Sequence, residues 1–90
     1  MVILIDPPMW PNHGTLWSHL VSDTSIEELH EFARAHDVPE RAFDLDHYDV
    51  PQRRHDDLVV GGATAVTAHE LVVRLRASGL RITAAQRKRR

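Results

Sequence analysis

Short apolar runs, separated by helix-capping residues, predict an alternating order of strands and helices. Residues 2–6 begin with a β-branched apolar run and end before two prolines, as expected for a short buried strand. Residues 42–46 and 63–67 are candidate strands of the same kind. The prediction is an α/β fold with a small three-stranded parallel sheet made of these three segments.

About three helices are predicted around this sheet. The first follows Thr24 and Ser25, each of which forms a capping box with the glutamate three residues later. The second covers Pro51–Val60, since proline suits a first helical turn. The third follows Thr67 and ends near Gly79, a favourable C-terminal cap. Residues 7–22, with three prolines and a glycine among apolar side chains, are predicted to be a packed connection, in which residues 16–21 could form a short helix or a strand.

Length and charge indicate one domain with a basic end. Residues 1–81 form the predicted domain, and residues 82–90 form a basic tail that is predicted to be disordered. All 13 acidic residues lie within residues 1–70, whereas seven of the 11 basic residues follow. The densest part, Arg87–Arg90, leaves nucleic acid or an acidic partner open as an alternative to a solvated terminus.

Composition also limits the chemistry and the location. The chain has no cysteine, which excludes disulfides, thiolate zinc sites and a cysteine nucleophile. The apolar run at the N-terminus is too short for a signal peptide or a membrane span. We therefore expect a cytoplasmic protein with no membrane partner.

Polar residues follow the first two predicted strands. Asp6 comes directly after the first strand, and Asp46, His47 and Asp49 come directly after the second. In a parallel sheet both strands end at the same edge, so these side chains are predicted to meet, with His19 reaching them from the preceding connection. Imidazole with carboxylates suits zinc, manganese or iron, so a divalent metal is the cofactor that this cluster would hold.

Each of these residues also has an interpretation without a ligand. Asp6 would cap a turn before the prolines, and His19 would be a hydrogen-bonded core histidine. Asp49 would be the N-cap of the predicted second helix. Three further residues are candidates for the cluster, and each is equally compatible with a structural role: His30, Asp46 and Tyr48.

Three tripeptides, together with Asp6 and Trp10, carry a family resemblance. The tripeptides are specific in their order, although each is short: Trp17-Ser18-His19, Glu28-Leu29-His30 and His47-Tyr48-Asp49. Over about residues 2–75 the chain resembles a family of short bacterial and phage proteins catalogued as domain of unknown function 4031. The resemblance implies a family and no mechanism.

Two functional interpretations remain at this point, and whether the protein is an enzyme stays open. In the first, it is an uncharacterised small cytosolic binding or accessory domain with a His/Asp polar cluster at the carboxyl end of the sheet. In the second, it is a metal-dependent hydrolase acting on phosphodiesters. The chain has no P-loop, no glycine-rich dinucleotide motif and no nucleophile elbow. A metal at His47 or Asp49 would favour the hydrolase, and a closed cluster without a pocket would favour the binding domain.

Overall fold

A computed structural model describes residues 2–82 and residue 86. Over these residues the chain forms six strands: β1 Ile3–Ile5, β2 Trp10–Asn12, β3 Thr15–Ser22, β4 Phe43–Asp44, β5 His47–Pro51 and β6 Thr64–Ala65. It also forms three α-helices: α1 Ile26–Ala35, α2 His55–Val60 and α3 Ala68–Ser78. Short 3₁₀ turns precede β4 and α2. Of the predicted tail, residues 82–90, the structure describes residues 82 and 86, and the basic segment Arg87–Arg90 lies outside the described residues.

The strands form one mixed sheet in the order β4-β5-β3-β1-β6, with β2 also paired to β3. The pairs β1–β3, β2–β3, β3–β5 and β4–β5 are antiparallel, and β1–β6 is parallel. The fold is therefore α/β with three helices, as predicted. The prediction of a three-stranded parallel sheet was wrong, because the described residues form six strands, of which β1 and β6 make the one parallel pair.

The hairpin β2–β3 is the largest element that the sequence analysis missed. Its two-residue turn is His13-Gly14, whose φ angles of 48° and 76° are both positive, as a type I′ hairpin turn requires. Prolines in residues 7–11 pointed to a loop, yet Pro11 lies in β2, which pairs with β3 alone. An unpaired strand edge tolerates a residue without an N–H donor.

The predicted strand at residues 42–46 is also wrong in its bounds. The strand β4 is two residues long, and a turn at Leu45 and Asp46 leads directly into β5. The predicted loop with His47 and Asp49 is therefore itself a strand. Pro51 ends β5 rather than beginning a helix, and α2 starts at His55.

The capping residues of two helices act as predicted. The side chain of Ser25 accepts a hydrogen bond from the backbone N–H of Glu28 at the start of α1. Thr67 accepts from Glu70 in the same way at the start of α3, which ends at Gly79 with a φ of 82°. These contacts satisfy N–H groups that have no partner inside a helix.

Helices cover both faces of the sheet, because successive strand residues point to opposite faces. One face packs against α1 and α2 and buries Ile5, Leu20, Leu29, Tyr48, Val50 and Leu58. The other packs against α3 and buries Leu4, Val21, Leu71 and Leu75. No helix in the described part of the chain is long and apolar enough to cross a membrane.

Candidate metal centre

The polar cluster lies on the sheet face that α3 covers. On β3, Val21 packs against α3, and His19, two residues earlier, points to the same face. Asp49 on β5 lies directly opposite His19 in the register, and His47 shares its face two residues away. Asp6 follows β1 on the other side of His19 and donates its backbone N–H to the His19 carbonyl at 3.3 Å.

Asp6 holds His19 through two hydrogen bonds. One carboxylate oxygen accepts the backbone N–H of His19 at 2.6 Å, and the other pairs with its Nδ1 at 2.9 Å. Asp6 lies at the break between β1 and β2, which pair with different parts of β3. The Asp6 carboxylate therefore accepts the His19 N–H in place of a backbone carbonyl of a neighbouring strand. Asp6 is 1% exposed and His19 is half-buried, so the pair is sheltered from water on the carboxylate side.

Asp46 holds His47 through one hydrogen bond and, with its other oxygen, binds the chain near the end of the described residues. Its Oδ1 pairs with Nδ1 of His47 at 2.7 Å, and its Oδ2 accepts the backbone N–H of Ile82 at 2.8 Å. The guanidinium of Arg81 lies 3.7 Å from Oδ2. Burial by itself raises the pKa of Asp46, but these hydrogen bonds and the charges of His47 and Arg81 hold it below its usual range. Leu45, with a φ of 61°, makes the turn that points Asp46 back at its neighbour.

His47 lies between two carboxylates. Its Nε2 is 3.1 Å from Oδ1 of Asp49, while its Nδ1 is held by Asp46. Burial lowers the pKa of His47, but the hydrogen bonds and charges of the two carboxylates outweigh this and raise it to about 9. This raised pKa favours the protonated, cationic form of His47 at neutral pH when no metal is bound.

Three potential ligand atoms converge at this point. His19, His47 and Asp49 each offer one atom, and all three atoms lie within 4.8 Å of one another. The Nδ1 atoms of both histidines are occupied by Asp6 and Asp46, which leaves their Nε2 atoms for a ligand. Two ligands bound about 2.1 Å from a tetrahedral ion lie about 3.4 Å apart, so the 3.1 Å separation between His47 and Asp49 is close to that of a formed site.

The structure brings four predicted residues together and separates two others. Asp6, His19, His47 and Asp49 form one chain of contacts, in which the two imidazole rings lie 5.0 Å apart. They meet because neighbouring strands place them in register across the sheet. The predicted reason, adjacent ends of parallel strands, was wrong. Asp46, a further candidate, joins through His47.

His30 and Tyr48 lie on the opposite face of the sheet. The side chain of Tyr48 belongs to the core under α1, where its hydroxyl is 2.6 Å from Nδ1 of His30. Burial and the nearby charge of Glu40 raise the pKa of Tyr48, although Arg34 acts in the other direction. This pair is a structural contact between α1 and β5, and it does not reach the cluster.

Comparison with known proteins supports the resemblance seen in the sequence. The model of one family, described as protein of unknown function (DUF4031), matches residues 3–78. The chain belongs to the DUF4031 family. Searches of the curated proteins and of the solved structures found no match. All the candidate ligands of this DUF4031 chain lie within the matched range, whereas Arg81 and Ile82 follow it.

A cavity of about 300 Å³ opens between the cluster and α3. The DUF4031 chain lines it with Asp6, His19 and His47 on the sheet side and with Leu71 and Leu75 on the helix side. Two residues that the sequence analysis did not place at the site also line it, namely Trp10 and Arg81. The cluster is thus hydrogen-bonded and borders on a cavity. The spacing of residues in the sequence did not predict that Arg81, which follows α3, lies near the cluster.

Proposed function

We propose that this domain binds one divalent transition-metal ion through His19, His47 and Asp49. The observation that carries the proposal is that a buried carboxylate holds Nδ1 of each histidine, Asp6 in one case and Asp46 in the other. In metalloproteins such a carboxylate fixes the tautomer and orientation of the ring and leaves Nε2 for the ion. Two imidazoles and one carboxylate suit zinc, with manganese and iron as alternatives.

The charges around the site favour a bound cation. The carboxylates of Asp6, Asp46 and Asp49 surround two imidazoles, and among the arginines that the structure describes Arg81 alone forms an ion pair with one of them, Asp46. In the metal-free protein the raised pKa of His47 favours a proton on its ring, which would supply the compensating charge. A metal ion would replace that proton, as it does when histidine ligands bind.

A competing interpretation is that the cluster only stabilises the sheet of a binding or accessory domain. The Asp6–His19 pair would then tie the end of β1 to β3, and the Asp46–His47 pair would order the turn that leads into β5. Contacts of that kind do not need both Nδ1 atoms to be held by buried carboxylates, nor a cavity at the free side of the rings. Measurement of bound metal separates the two interpretations.

The metal site is tested by elemental analysis of protein incubated with zinc and freed of excess by gel filtration. We expect about one zinc per chain, as a single mononuclear site requires. His47→Ala and Asp49→Asn should lose it, whereas His69→Ala and Asp56→Asn, which alter exposed residues outside the cluster, should retain it. Zinc-free wild-type protein, or equal zinc in all variants, would contradict the proposal.

A metal-dependent hydrolase is the second candidate function. It is favoured by the count of three protein ligands beside a cavity, because catalytic zinc sites have three and keep a further position for water. An ion bound here would lower the pKa of that water toward neutrality. Hydrolysis of bis(p-nitrophenyl) phosphate by zinc- or manganese-loaded protein tests this candidate. Activity that His47→Ala lacks and His69→Ala retains would support it, and inactivity with both metals would count against it.

A further inference from the structure

A second and larger cavity, of about 830 Å³, lies beside the candidate metal centre. We call it the tryptophan groove, after Trp10 and Trp17, which line it and occupy opposite positions in the register of the β2–β3 pair. Asp49, a candidate metal ligand, lines the same groove. Its volume falls in the range of ordinary small-molecule sites, which is about 300–1,000 Å³. A ligand in the groove would therefore reach the metal centre through Asp49.

Trp10 connects the groove to the metal centre. Its ring lies 5.2 Å from that of His19, and the residue lines both cavities. Trp10 is 48% exposed, although it is one of the largest apolar side chains of the protein. Trp17 is fixed beside it by a 2.8 Å hydrogen bond from its indole N–H to the carbonyl of Asn12. The two indoles offer a planar ligand an exposed and partly fixed stacking surface.

Two arginines of the groove are available for an anion. Arg41 and Arg53 are exposed, and neither makes a hydrogen bond or ion pair with any residue that the structure describes. Arg54 differs, because it pairs with Asp57 and donates to backbone carbonyls after α1. Arginine binds phosphate through paired N–H donors.

Aspartates of the groove offset this positive charge. Asp37, Asp44 and Asp49 equal its three arginines in number. A divalent ion on Asp49 would make the groove positive on balance. Anion binding in the groove should therefore strengthen when the metal site is filled.

We infer that the tryptophan groove binds a nucleoside phosphate, with the base stacked on Trp10 and the phosphate between Arg53 and the metal at Asp49. The inference rests on the proposed metal site, because the ion offsets the Asp49 charge and gives the phosphate a second partner. Stacked aromatic rings with basic side chains are the combination by which proteins hold single-stranded nucleic acids. A free nucleotide presents the same base and phosphate, so it is a second source of this ligand.

The test is the fluorescence anisotropy of a labelled single-stranded DNA of about eight nucleotides, titrated with zinc-loaded protein. We expect Trp10→Ala and Arg53→Ala each to weaken binding about tenfold, since each loses a stacked base or a phosphate contact. Met9→Ala and Arg76→Ala are the matched controls, because they remove an exposed apolar and an exposed basic side chain outside the groove. Neither should change the affinity. Zinc content is measured on the same samples.

Competition with adenosine monophosphate distinguishes the two sources. If this nucleotide displaces the labelled strand as effectively as unlabelled strand does, a free nucleotide is a sufficient ligand. Displacement by the strand alone identifies single-stranded nucleic acid, and both results support the groove. Equal binding by wild type and Trp10→Ala, or no binding of either probe to zinc-loaded protein, would overturn it. Strand binding by protein that takes up no zinc would contradict the metal site and its contact with the phosphate, and a loss of that binding in Trp10→Ala would still assign the strand to the groove.

Discussion

Titration of His47 should make the stability of the metal-free protein depend on pH. His47 is nearly buried between Asp46 and Asp49, and the hydrogen bonds and charges of these carboxylates raise its pKa to about 9 from an ordinary value of 6.5. The perturbation is a rise in pH through this window in the presence of a chelator. The chelator matters because a bound metal would take the place of the proton.

The sign and size of the effect follow from the two pKa values. Below the unfolded pKa of 6.5, His47 is protonated in both states, and the stabilisation by its carboxylate partners is fully present. As pH rises toward 9, the unfolded chain has already lost the proton that the folded chain still holds, so stability falls. The difference between the two pKa values corresponds to about 3 kcal/mol. With a urea m-value of about 1.5 kcal/mol/M, the unfolding midpoint should fall by about 2 M.

Urea unfolding from about pH 6 to about pH 9.5, for wild type and His47→Gln, measures this effect. Glutamine keeps a polar side chain at the position but cannot carry the proton. The difference between the two stability curves therefore isolates His47 from every other group that titrates in the range. Parallel curves across this range would refute the account of the His47 site.

Three further predictions concern the supports of the site and the contacts around it. Asp6→Asn should weaken zinc binding by about 10- to 100-fold, because it loosens the orientation of His19; an unchanged dissociation constant in calorimetry would contradict this. Tyr48→Phe should cost about 1 kcal/mol in urea unfolding and leave zinc affinity unchanged, since its hydroxyl lies on the opposite face of the sheet; an altered zinc affinity would be the contrary result. A chain that ends after Arg81 lacks the backbone N–H of Ile82, which donates to Asp46, and should melt about 5–10 °C lower by calorimetry. An unchanged melting temperature would show that this contact does not stabilise the fold.

The sequence patterns predicted the helices better than the strands. The capping residues Ser25 and Thr67 act locally, and the structure confirms both. Residues 16–21 of β3 could not be assigned to a strand or a short helix from the sequence, because helices cover both faces of β3 in the centre of the sheet. Leu20 and Val21 are consequently buried on opposite sides, and the alternation of polar and apolar residues disappears.

The strand β5 did carry an alternating pattern that could have been recognised. His47 and Asp49 point to the cluster, while Tyr48 and Val50 point into the core under α1. The nearby Asp46 and Pro51 favoured a loop and a helix start instead.

The cluster residues were predicted by their chemistry, but their arrangement was not. The position of Asp6 directly after β1 predicted that it belongs to the cluster, and Asp6 does contact His19. The contact arises from the antiparallel register of β1 and β3, not from adjacent ends of parallel strands. The support of His47 by Asp46 depends on a leucine, Leu45, in the left-handed region, which propensities do not predict. The contacts of Ile82 with this site span 36 residues along the chain and have no local pattern.

The metal site is the central claim, and X-ray absorption at the zinc edge of the loaded protein tests it most directly. We predict a first shell of nitrogen and oxygen at about 2.0–2.1 Å, with the outer-shell scattering of two imidazole rings. His19→Ala should reduce that scattering to one ring, and His69→Ala should leave it at two. A shell of oxygen alone, or scattering from two rings that persists in His19→Ala, would contradict the assignment of His19, His47 and Asp49 as the metal ligands.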